Sequence, residues 1–133
     1  MIKVVKNKYK QVFTIGVWFC CSLFPVSAEN VIAYPNPFDY TSNQITFRYN
    51  LISNGLVSIS VYSMQGQLVK TLFERSQQAG SGSPITTAWD VRNQNGQKLS
   101  SGIYVVYLQV EYLNPAASGS AGYESKFRFT VLR

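Results

Sequence analysis

Ala88 to Leu108 reads A-W-D-V-R-N-Q-N-G-Q-K-L-S-S-G-I-Y-V-V-Y-L, a strand ending near a tryptophan, a turn closed by glycine, and a long apolar strand. Asn93-Gln94-Asn95-Gly96 supplies the asparagine and glycine that reversed turns demand, so the stretch is predicted to be a β-hairpin. Its first arm runs from Ile85 to Asp90, with Trp89 as the large inward side chain. The second arm, Leu99 to Tyr112, is the longest strand of the chain. It places Tyr104, Val106, Leu108 and Val110 in the core, and Gly102 marks a bulge or a close backbone approach. The hairpin holds no reactive group. It builds a scaffold, which directs the reading toward a recognition or structural module.

The same alternation with period two governs the chain on both sides. Upstream, Ile45, Phe47, Tyr49 and Leu51 share one strand face while Thr46, Arg48 and Asn50 take the other. Ser53-Asn54-Gly55 then reads as a tight turn, Val57, Ile59 and Val61 continue the inward face, and Met64-Gln65-Gly66-Gln67 makes the next turn. Leu68 to Phe73 is a short strand, and the polar stretch Glu74 to Pro84 is expected to be a loop. Downstream, Asn114 to Gly122 is a small-residue loop. Ser125 to Arg133 closes the chain, with Phe127, Phe129 and Val131 on one face and Arg128 and Thr130 on the other. With Val31 to Ala33 at the start the chain has seven strands, and no segment shows a helical period.

Seven short strands separated by turn residues predict an all-β, seven-stranded antiparallel sandwich, because the apolar face of each sheet needs another apolar face to cover it. A closed barrel is the alternative architecture. Trp89, Phe47, Ile59, Tyr104 and Phe127 are the expected core, and Gly55, Gly66, Gly96 and Gly102 the expected turn positions. Trp89, wedged between the sheets, is the costliest single loss.

Residues 1–30 differ in kind. Lys3, Lys6, Lys8 and Lys10 precede an apolar run from Val12 to Val26 that ends in Val26-Ser27-Ala28, the pattern of a secretory signal peptide cleaved after Ala28. The run falls short of the roughly 20 apolar residues of a spanning helix, so membrane contact is expected only through this segment before cleavage. The formal charge of the whole sequence is +6, from twelve basic and six acidic residues. Removing 1–28 takes four of the basic residues, leaving eight against six, and the basic excess that would have suggested nucleic acid mostly disappears. Both cysteines, Cys20 and Cys21, leave with the same segment. The remaining 29–133 is about 105 residues, enough for one domain burying roughly 60 to 65% of its unfolded surface without a cross-link.

Histidine is absent, so with the cysteines removed the residue inventory excludes serine and cysteine triads and ordinary zinc sites. The acids Glu29, Asp39, Glu74, Asp90, Glu111 and Glu124 are scattered, with no pair at a spacing that one element would bring together. Asp90 to Gly96 has the look of a calcium loop but places Val91 where an acid belongs and lacks the later glutamate. No cofactor and no small-molecule substrate is expected. Pro35-Asn36-Pro37 shapes an edge, since neither proline can donate to a ladder. Tyr34, Phe38, Tyr40, Phe73, Tyr112 and Tyr123 lie near strand ends. If Tyr34, Phe38, Tyr112 and Tyr123 formed one exposed flat cluster they would make a sugar platform. A hydrolase would instead need two of the acids within about 5 to 10 Å in one cleft.

Ala33-Tyr34-Pro35-Asn36-Pro37-Phe38, Val57-Ser58-Ile59-Ser60-Val61-Tyr62, Gly66-Gln67-Leu68-Val69-Lys70-Thr71-Leu72, Trp89-Asp90 and Ser101-Gly102-Ile103-Tyr104 occur in this order. Together they resemble the immunoglobulin-like domain of flagellar hook-capping proteins, and equally the C-terminal domains that act as type IX secretion sorting domains. The resemblance covers nearly all of 29–133. It implies an Ig/fibronectin-III-like sandwich that works by protein contact, with a partner at the cell envelope or in secretion machinery, in the periplasm, at the cell surface or outside the cell. Two departures matter. Hook caps carry an amino-terminal assembly region and use the flagellar export route, and a sorting domain trails a cargo. A free-standing exported module, or a separated tail of a larger protein, is therefore expected, with a small secreted carbohydrate-binding sandwich as the alternative. Val91 stands where the family pattern often has glycine after Trp-Asp, a change expected to affect only the turn.

Overall fold

The computed structural model describes residues 31–133. The signal peptide expected over 1–28, the two cysteines and Glu29 lie outside the described residues. Two sheets face each other. One holds β1 (Ile32–Tyr34), β3 (Ile45–Asn50) and β6 (Pro84–Trp89), in the order β1-β3-β6. The other holds β2 (Phe38–Asp39), β4 (Gly55–Ser63), β5 (Leu68–Gln78), β7 (Gly102–Tyr112) and β8 (Gly122–Leu132), in the order β2-β8-β7-β4-β5. The strict alternation of β3 and β4 places every second residue inward, so Ile45, Phe47, Tyr49, Val57, Ile59 and Val61 are buried between the sheets.

An aromatic cluster bridges the two layers. The Phe47 ring lies 6.2 Å from Trp89 in its own sheet, and 5.6 Å from Phe127 and 6.4 Å from Phe129 across the sandwich. Trp89 meets Phe129 edge-on at 5.8 Å, and Tyr104 stacks on Phe129 at 5.6 Å. The indole N–H donates to the Arg92 carbonyl at 3.1 Å, so burying the ring leaves no donor unpaired.

Among the described residues eight strands stand where the alternation predicted seven, and one of their pairings is parallel. The first strand is divided between the sheets: β1 pairs antiparallel with β3, while β2 pairs parallel with β8. The segment between them, Pro35-Asn36-Pro37, has cis peptide bonds before both prolines. Asn36 ties it to β8, its side-chain amide donating to the Arg128 carbonyl at 3.2 Å and accepting from the Thr130 N–H at 3.1 Å. The side chain thus supplies edge pairing beside two residues that have no N–H to give. A two-residue strand carries no periodicity, which is why β2 could not be seen in the sequence.

The expected loop Glu74 to Pro84 is instead largely strand, since β5 runs on to Gln78, which pairs with Gly55. Three register shifts against β4 interrupt its alternation, and at one of them Arg75 takes φ 48° while its N–H donates to the Ser58 hydroxyl at 3.0 Å. Bulges of this kind are common on edge strands and erase the period-two signal. Gly55, expected in a turn, opens β4 between β5 and β7, where a Cβ would come 3.0 Å from the Glu111 carbonyl. Gly102 begins β7 and does not interrupt it. The expected hairpin does not pair its two long arms: β6 bonds to β3 in one sheet and β7 to β4 and β8 in the other, so the chain crosses the sandwich here, and what remains is a minimal hairpin around Asn93 to Gly96 with one bridge, Arg92 to Lys98. The expected loop at Asn114 contains one helical turn, α1 (Pro115–Ser118), with the Asn114 side chain capping the Ala117 N–H. The loop ends at Gly122, where a Cβ would overlap the Val110 carbonyl.

Candidate interaction surfaces

The residues singled out in the sequence separate into interior and surface. Trp89, Phe47 and Ile59 are buried, whereas Tyr104 and Phe127 are partly buried and pack on the core from its margin. Gly66 and Gly96 sit in turns, their N–H groups donating to the Ser63 and Asn93 carbonyls. Gly96 takes φ 79°, and the Asn93 side chain organises the same turn by accepting from the Asn95 and Gln97 N–H groups at 3.0 and 2.9 Å. Val91 reaches further than the turn. Its side chain is fully buried although its backbone takes φ 58°, a left-handed conformation costly for a β-branched residue.

The four aromatics that would have made a sugar platform do not form an exposed cluster. Phe38 is fully buried, Tyr112 is buried, and the Tyr123 hydroxyl donates to the Asn50 carbonyl at 2.8 Å. Tyr34 is half exposed. Tyr40 ties the short 3-10 turn after β2 to the hairpin, its hydroxyl lying 3.0 and 3.1 Å from the Val91 and Leu99 carbonyls. Burial raises the pKa of this hydroxyl above the ordinary tyrosine value.

Pairing of neighbouring strands brings two acids closer than the sequence suggested. Glu124 stands opposite Gln109, two residues from Glu111, so both occupy the outer face of the five-stranded sheet. Each has its own partner: Arg75 holds Glu111 at 2.7 Å, and Glu124 accepts the Tyr107 hydroxyl. That hydrogen bond, with burial adding to it, pushes the Tyr107 pKa up to about 12. Asp90 pairs with Arg92 at 3.4 Å at the hairpin.

The rest of that outer face is apolar and cationic. Tyr62, Val105 and Arg128 stand side by side across three strands, with Ser60, Tyr107 and Lys126 in the adjoining row. The Lys126 ammonium lies 5.3 Å from the centre of the Tyr107 ring. Exposed Met64, Leu68 and Ile103 extend the apolar area toward the β4–β5 turn. A depression of about 420 Å³ opens among Tyr62, Met64, Val105, Tyr107 and Lys126. Among the described residues, Lys70, Lys126, Arg128 and Arg133 make no ion pair. Around the edge of the sheet a larger cleft of about 670 Å³ separates the β4–β5 turn from the hairpin, lined by amides of Gln67, Asn93, Gln94 and Asn95 together with Lys98 and Arg133. Neither surface was legible beforehand, since each joins residues from strands far apart in the chain.

The sequence model of the FlgD Ig-like domain family matches residues 38–114, more than half of the chain. Among solved structures, the fold is similar to part of dimeric latent PorU from Porphyromonas gingivalis, 27% identical over 77% of this chain and 9% of that one, with a TM-score of 0.57. It is also similar to part of PorZ from the same organism, 22% identical over 78% of this chain and 12% of that one, with a TM-score of 0.50. FlgD from P. aeruginosa is 17% identical over 77% of this chain and 74% of that one, again with a TM-score of 0.50. The chain therefore spans about a tenth of the length of PorU and PorZ. No curated protein matches the sequence.

Proposed function

The chain belongs to the family of FlgD Ig-like domains, and from that premise we propose that it is an exported, non-catalytic Ig-like module that acts by protein–protein contact at the cell envelope or in secretion machinery. The observation that carries this reading is the division of the sandwich between a closed interior and an outer sheet face with half-buried Tyr and exposed Met and Arg side chains, residue types enriched at protein interfaces. PorZ, one of the structural neighbours, is an essential bacterial surface component of a type IX secretion system, which is the setting proposed for this chain. Export is supported by the signal-peptide pattern of 1–28, and no helix among the described residues is long and apolar enough to cross a membrane. A non-catalytic role is supported by the absence of histidine and by the engagement of Glu111, Glu124 and Asp90 with separate partners.

A second reading, a small carbohydrate-binding domain, has lost its aromatic cluster and rests on the amide-lined cleft between the β4–β5 turn and the hairpin. One experiment separates the two. Cross-linked capture from envelope fractions of the native bacterium should recover a defined protein partner, while a glycan array stays blank. Strong glycan binding without a recovered protein would reverse the order of the readings.

A further inference from the structure

On the outer face of the five-stranded sheet, Lys126 lines a side-chain-sized depression between Tyr62 and Tyr107 and Arg128 stands beside its Val105 wall, neither with a carboxylate partner among the described residues. We propose that this face receives an acidic polypeptide segment, with one apolar side chain seated in the depression and a neighbouring carboxylate paired with Lys126 or Arg128. The proposal deepens the protein-contact reading and rests on it. Charge complementarity names the occupant. Lys126 and Arg128 have no carboxylate partner among the described residues, whereas the acids Glu111 and Glu124 gather toward the other end of the same face. An acidic segment is thus attracted to one end and repelled from the other, which fixes its position along the sheet.

Half-buried tyrosines and an exposed methionine supply contact area that a purely electrostatic site would lack. Tyr62, Tyr107 and Met64 line the depression, and about 420 Å³ accommodates one or two partner side chains. Of the five acids among the described residues, Glu111, Glu124 and Asp90 are held by Arg75, Tyr107 and Arg92 and Asp39 accepts the Thr41 N–H, which leaves Glu74 alone and makes a second copy of this chain a poor occupant. An anionic bilayer would have to lie flat across Glu111 and Glu124 to reach the cations.

The test uses the whole protein and a display library of random linear peptides. Selected peptides are expected to carry Asp or Glu within a few residues of a large apolar side chain. Binding of a selected peptide should weaken by at least about tenfold in the Lys126→Glu/Arg128→Glu variant. The same variant, selected afresh, should enrich basic peptides. Both positions are exposed, and an unchanged circular-dichroism spectrum and melting temperature verify that the variant is folded. Peptides without acidic bias, or peptides bound equally by the variant, would overturn the proposal. So would a preference for phosphatidylglycerol vesicles over peptides, or a dimer in sedimentation that the variant dissociates. If the variant still captures the partner recovered from envelope fractions, this surface is wrong and the protein-contact reading stands. An empty capture by the unaltered protein removes that reading itself.

Discussion

The two faces of the five-stranded sheet are built from the same strands and do opposite work. On the inner face Val57, Ile59, Val61, Val106, Leu108, Val110, Phe129 and Val131 are all buried, and none brings a polar atom that needs a partner. One residue along each strand, the outer face carries Tyr62, Val105, Tyr107, Lys126 and Arg128, with cations that no carboxylate neutralises among the described residues. Backbone pairing is common to both, so the difference lies wholly in side chains. The inner face holds the fold by area removed from water. The outer face contributes little to the fold and is therefore free to be shaped by contact with something else.

Substitutions can break or sharpen this contrast, and the deepest cut is Trp89→Ala. It removes the ring that joins Phe47 to Phe129 and strands the Arg92 carbonyl, and should cost about 3 to 5 kcal/mol in denaturant unfolding. Next, two valines of identical zero exposure should respond unequally. Val106→Ala, in an unstrained strand, is expected to lose about 2 kcal/mol. Val91→Gly should lose less than about 1 kcal/mol, because release of its left-handed backbone offsets the lost burial.

A smaller effect appears at alkaline pH. The Tyr107 pKa is raised in the folded state, so its contribution is intact below the ordinary value of 10.0 and is lost as pH climbs toward about 12, the unfolded chain ionising first. The melting temperature should fall across that window, and less steeply in Glu124→Gln, where the partner of the hydroxyl carries no charge. Last, Arg128→Glu on the outer face should leave stability within about 0.5 kcal/mol of the unaltered protein by thermal melting. A large loss there would mean that the outer face also holds the fold.

Much of the sandwich was legible because long strands write their faces into the sequence. Ile45 to Leu51 and Val57 to Val61 alternate cleanly, and their inward residues are buried in the structure, whereas the strands on either side of the Gly96 turn, read as one hairpin, belong to different sheets because a turn does not encode which strands pair. The failures have a common cause in features without period. β5 is bulged three times, so Glu74 to Gln78 reads as loop. β2 has two residues, so Phe38 looks like a surface aromatic although it is fully buried. Gly122 looks like one small residue among many, and only the Val110 carbonyl beside it shows why no side chain fits. The candidate contact surface was harder still. Tyr62, Val105 and Arg128 are ordinary members of three separate strands until pairing sets them in one row.

By itself the sequence determined the alternating strands, the turn at Asn93 to Gly96, the tryptophan at the centre and a chain without histidine, because each is encoded within a few neighbouring residues or in composition. Tertiary structure alone decided that the first strand divides between the sheets, that Val91 is drawn into the core, and that Lys126 and Arg128 stand beside Tyr62 and Tyr107 with no carboxylate partner among the described residues. Period two fixes which residues of a strand share a face. It carries no information about which strand lies alongside, and the sum of charge and apolar area on a sheet face depends on that neighbour.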